Sequence, residues 1–184
     1  MKDYQFEVCA NSVESCIAAQ AGGADRVELC AGIPEGGTTP SYGDILIARE
    51  VLQQTKLHII VRPRGGDFLY SSTEQRIMLK DIENARRLGA DGVVFGCLTA
   101  EGDVDIPLME QLMKASQGMS VTFHRAFDVC RNPQKSNRRY YRIRMQPHPN
   151  FRTATYSRAR HSPSERAPTT SIRPNHSIGR LWGE

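Results

Sequence analysis

From about residue 6 to Gln134 the chain repeats one plan five times, a short apolar run followed by a stretch of helical periodicity. Strands are expected at residues 6–10, 25–30, 57–61, 92–98 and 120–127. Helices are expected to begin at Ser12, at Ser41 or Asp44, at residues 72–75 and near Ile106. The third helix, closing at Gly89, should turn Ile77, Leu79, Ile82, Ala85 and Leu88 inward. Two helix-to-strand joints share a spelling: Gly23-Ala24-Asp25 precedes Arg26-Val27, and Gly89-Ala90-Asp91 precedes Gly92-Val93. A helical crossover returns the chain to the same edge of a sheet, so successive strands must pair in parallel.

Two architectures satisfy that rule, a doubly wound sheet and a (β/α)8 barrel. Neither a Gly-x-Gly-x-x-Gly turn nor a phosphate-binding loop follows the first strand, which disfavours a nucleotide-binding doubly wound sheet. Polar residues close almost every strand, and that is where a barrel assembles its site. An α/β fold of TIM-barrel type is therefore expected. It should be incomplete, because five strands cannot close an eight-stranded barrel and the first and fifth keep open backbone edges. Such edges and uncovered apolar faces favour aggregation and make a second copy of the chain a candidate partner.

After Gln134 the plan stops. Residues 135–184 hold ten arginines and five of the ten prolines with almost no aliphatic periodicity. They carry 11 Lys+Arg against 2 acids, whereas residues 1–134 carry 13 against 18. The composition predicts an ordered part, 1–134, and an irregular Arg/Pro/Ser-rich tail, 135–184. A shifted reading frame accounts for the change. Writing Gln134–Arg139 as CAG AAA AGC AAT CGA AGA and dropping one adenine gives Gln-Lys-Ala-Ile-Glu, the start of a helix. A basic arm gripping nucleic acid is the weaker reading, because the tail lacks aromatic interleaving beyond Tyr140, Tyr141, Phe151 and Tyr156.

All five cysteines lie in the first part, none in a Cys-x-x-Cys pair, as expected of reduced thiols in a cytoplasmic protein. No apolar leader opens the chain, and no stretch approaches the roughly 20 apolar residues of a membrane span. Neither a membrane nor a nucleic acid is expected as partner.

The strings RVELC (26–30), EGGTTPSYG (35–43), RPRGGDFLYS (62–71) and TFHRAFD (122–128) together resemble the CutC family of copper homeostasis proteins, in order across residues 5–134. The resemblance implies a TIM barrel of about eight strand–helix units. It also implies cytoplasmic copper handling, with Cu(I) as candidate ligand.

Alternation along strands selects the candidate residues. Glu7 and Cys9 share a face of the first strand, and Arg26, Glu28 and Cys30 one of the second. Ile60, Arg62 and Arg64 align on the third, and Thr122 and His124 on the fifth. Cys30 and Cys9 are the candidate metal ligands, two soft sulfurs suited to Cu(I); the alternative is small buried apolar residues. Cys97 is an intermediate candidate, and Cys16 and Cys130 are poorer ones. Arg62, Arg64, Arg26 and Arg125 are candidate anion binders, since guanidinium forks hold carboxylate or phosphate. Alternatively, Arg62 and Arg64 neutralise Glu7 and Glu28. His124, Glu28 and Asp128 are candidate acid–base groups, with a core histidine as the alternative. Asp103 and Asp105 read as a loop and helix cap rather than a calcium site. Copper homeostasis through Cu(I) binding is the first expectation, impaired if the barrel is unfinished. A barrel enzyme acting on a small anionic substrate is the second.

Overall fold

The computed structural model describes residues 5–132. The expected tail and its re-phased reading lie outside the described residues. Five strands alternate with four helices: β1 (Glu7–Ala10), α1 (Val13–Ala21), β2 (Arg26–Leu29), α2 (Tyr42–Val51), β3 (Lys56–Ile60), α3 (Ser72–Arg87), β4 (Gly92–Phe95), α4 (Ile106–Ala115) and β5 (Ser120–Phe123). Short 3-10 turns at Ile33–Glu35 and Arg125–Val129 follow β2 and β5. All four strand pairs are parallel and the spatial order is β1-β2-β3-β4-β5. A doubly wound sheet reverses its strand order at a switch point. Sequential order without reversal is that of a barrel wall, here an incomplete one of four βα units and a fifth strand among the described residues.

The repeated Gly-Ala-Asp joint explains how each strand is aimed. Gly23 and Gly89 turn the chain out of α1 and α3 at φ 80 and 81°, a region costly for any side chain. Ala24 and Ala90 are buried behind them. The aspartates then tie strand entry to the neighbouring strands. Asp25 N–H donates to Phe6 C=O at 2.9 Å while its carboxylate accepts from Phe6 N–H at 2.8 Å. Asp91 repeats this on Leu57, at 2.8 and 2.9 Å, and adds an ion pair to Arg49 at 2.8 Å.

Helix starts follow the polar residues before each apolar stripe. Ser12, Ser41, Ser71 and Asp105 are the N-caps, and Ser41–Asp44 and Ser71–Glu74 form reciprocal capping boxes. The expected inner face of α3 needs one correction. Ile82 and Ala85 are buried and Leu79 and Leu88 pack against the core as expected, but Ile77 is 44% exposed and Met78 takes its place at the start of the stripe. Methionine, flexible and unbranched, fills that core position.

The sheet has two unlike faces. Val27, Leu29, Leu57, Ile59, Val93, Phe95, Val121 and Phe123 point to the helices and merge with them into one apolar core. On the concave face the apolar cluster shrinks to Cys30, Ile60 and Val94, amid buried Glu28, His58, Arg62, Thr122 and His124.

Candidate functional site

The C-terminal ends of the strands surround a cavity of about 320 Å³. Its walls bring together Cys9, Glu28, Thr122, His124, Arg125 and Asp128, with Ile60 behind and Gly36 and Gly37 on the loop after β2. Five of the residues expected from sequence (Cys9, Glu28, His124, Arg125 and Asp128) thus share one space.

Cys9 and Cys30 sit diagonally on β1 and just past β2, with their sulfurs 3.6 Å apart. Cys9 is exposed and Cys30 is buried, its Sγ also 3.5 Å from the Ala10 carbonyl. The hydrogen bond from Cys30 draws the Cys9 thiol down to about 7. The same contact, with burial, pushes Cys30 up. One sulfur is therefore close to ionising at neutral pH while its neighbour keeps a proton. Among the described residues no group of three His, Cys, Asp or Glu could hold a metal ion. The soft sulfur pair stands as a two-donor set, without the carboxylate and imidazole company a harder ion requires.

Glu28 faces the cavity from β2, opposite Cys9 in the β1–β2 register. Burial, reinforced by Glu7 and Cys9 and partly offset by Arg26, pushes its carboxyl up to about 8. It therefore carries its proton at neutral pH. His124 lies just beyond β5, where the sequence suggests a strand continuing to residue 127. The strand instead ends at Phe123, because the ring Nδ1 accepts the Ala126 N–H at 3.3 Å and starts the 3-10 turn. That bond leaves the ring hydrogen on Nε2. Burial, aided by the Arg62 charge, pulls the imidazole down to about 3, so it is neutral. Gly96 makes room for it: a Cβ there would lie 2.8 Å from Nδ1.

The four arginines separate. Arg125 is exposed at the cavity. Arg62 is buried behind the Gly36–Gly37 loop and donates to the carbonyls of Glu35, Gly37 and Gly66 at 2.8, 2.9 and 2.8 Å, with Phe68 stacked 4.8 Å from its guanidinium. The expectation that Arg62 and Arg64 would neutralise Glu7 and Glu28 is corrected. Glu7 pairs with Arg26 near the strand starts, the end of the sheet away from the cavity, which removes Arg26 from the cluster as well. Arg64 does not continue the β3 face past Pro63. It turns outward to Asp67 and Glu74 at 2.9 and 2.6 Å.

Of two further concave-face residues, His58 was not picked out from sequence and Thr122 was placed on its face without a role. His58 is buried on β3, its ring occupying the space that a side chain at Gly92 would fill. Burial and the Arg26 charge pull it down to about 3. Thr122 is buried on β5, one alternate position before His124. Strand periodicity carried both signals, since His58 alternates with Ile60 and Arg62. Among the described residues no helix is long and apolar enough to cross a membrane.

Fold and site together define a parallel barrel-wall protein with a thiol, an imidazole and two carboxyls at the strand ends. The CutC family model matches residues 4–142, and the chain belongs to the CutC family. CutC family proteins of Bacteroides thetaiotaomicron and Bacteroides fragilis are 78 and 74% identical to it over 136 residues, 74% of this chain and 55 and 54% of theirs. A crystal structure named provisionally as the copper homeostasis protein CutC of Streptococcus agalactiae matches with a TM-score of 0.72 at 38% identity, over 76% of this chain and 68% of that one. The chain spans about half the length of the curated relatives it matches.

Proposed function

We propose that this chain is a cytoplasmic copper homeostasis protein that takes up Cu(I) between Cys9 and Cys30. The observation carrying this reading is the 3.6 Å separation of the two sulfurs, one exposed and one buried, at the strand ends. Cu(I) is a soft ion that favours thiolate. Cys9, at about 7, supplies one thiolate readily, and the metal displaces the proton of Cys30. The name of the Streptococcus agalactiae relative, which refers to copper homeostasis, supports the same ligand. Among the described residues β1 and β5 each pair on one side only. Cu(I) retention is therefore expected to be weaker than in a closed barrel.

The test is a Cu(I) titration of the full chain against a chromogenic chelator. One Cu(I) per chain is expected, lost in Cys30→Ser and in Cys9→Ser and kept in His124→Ala. Unchanged stoichiometry in Cys30→Ser would reject the reading.

A further inference from the structure

We propose that the cavity beside the thiols is an oxyanion site, holding a small carboxylate or phosphate through Arg125, the Nε2–H of His124 and the hydroxyl of Thr122. The inference goes beyond the copper reading and does not depend on it.

Three observations carry it. Two guanidinium groups converge on the loop after β2: a Cβ on Gly36 would lie 2.6 Å from Arg125 Nη1 and 3.5 Å from Arg62 Nη1. Among the described residues neither arginine is ion-paired. The Nη1 and Nη2 groups of Arg62 donate to three backbone carbonyls, which do not neutralise its charge, and its Nε is buried without a partner. Two like charges meeting at a cavity wall favour a negative ligand there. Second, Thr122 Oγ1 and His124 Nε2 are buried polar atoms without a hydrogen-bond partner. Thr122 is 1% exposed and His124 7%, and both line the cavity. Buried polar groups left unpaired are costly, and native proteins retain few of them. Third, the donor set is one-sided. With Nδ1 occupied by the Ala126 N–H, the imidazole offers the cavity a donor, as does Arg125; the threonine hydroxyl can donate as well. A cavity of about 320 Å³ suits a ligand of a few heavy atoms. Glu28 and Asp128 are the acids on the same wall, and Asp128, exposed at the rim, opposes the ligand's charge.

The experiment uses the full 184-residue chain. Thermal melts are followed while inorganic phosphate or succinate is titrated at constant ionic strength, with chloride as the control salt. A saturable rise in Tm is expected with at least one of the two anions and not with chloride; whichever acts identifies phosphate or carboxylate. Arg125→Gln should weaken the apparent Kd at least tenfold, and Asp128→Asn should tighten it. Thr122→Val keeps the side chain's shape, so it should weaken binding while leaving the unliganded Tm unchanged or higher. Chloride matching both anions, or Arg125→Gln and Thr122→Val titrating like the wild type, would overturn the proposal. Cys30→Ser should bind the anion normally, so failure here and failure of the copper reading are distinguishable.

Discussion

The two faces of the sheet are made from alternate residues of the same strands, yet they obey different rules. Toward the helices, Val27, Leu29, Leu57, Ile59, Val93 and Phe95 are apolar and closed over. Toward the barrel axis, the intervening positions hold Glu28, His58, Arg62, Thr122 and His124, all buried, and all but Glu28 keep a side-chain polar atom without a hydrogen-bond partner. The first face lowers the free energy of the fold. The second retains costly groups, a pattern that points to ligand chemistry rather than packing.

Adjacent residues on opposite faces give the largest expected contrast. Ile59→Ala opens a hole in the closed core and should destabilise by about 2–5 kcal/mol. Ile60→Ala only enlarges an existing cavity and should cost well under half as much. Paired denaturant melts decide this, and equal losses would break the contrast.

The concave face should also control the pH response. Glu28 keeps its proton to about 8 in the folded chain against an ordinary 4.5, so the folded state binds more protons between those values. The contribution of Glu28 to stability should be lost as pH rises from about 4.5 to 8, and Glu28→Gln should remove that loss, on the order of 2 kcal/mol. His58 and His124 act in the opposite sense. Each loses its proton near 3 in the fold against 6.5 unfolded, so the stability they confer is present above 6.5 and declines as pH falls toward 3. Melts across pH 4–9 for wild type and Glu28→Gln measure both effects.

Smaller again is the capping box that begins α3. Ser71→Ala should cost about 1 kcal/mol with no pH dependence near neutrality and no change in ligand binding. A comparable effect on the anion titration would show that the helical layer and the cavity are coupled.

The helical layer was more legible than the cavity because its signals are local. Serine caps, the Gly-Ala-Asp joints and period-2 apolar runs located every strand and helix; the boundary differences lie at strand and helix ends. The end of β5 was missed because it depends on the His124 ring capturing a backbone N–H two residues on, which no periodicity reveals. Alternation placed Cys9, Glu28, Thr122 and His124 on their faces; His58, two positions before Ile60, carried the same signal but was not picked out. It failed for Arg64, where Pro63 ends the extended run and Asp67 and Glu74 provide nearer partners. It also could not show that Arg62 would rest on three carbonyls, because those belong to two loops that meet only in the folded chain.

X-ray absorption at the copper edge of the Cu(I)-loaded chain tests the account most directly. Two sulfur neighbours and no nitrogen are predicted, with copper released in both Cys9→Ser and Cys30→Ser. A copper shell of nitrogen and oxygen, or a two-sulfur shell that persists in Cys30→Ser, would contradict it.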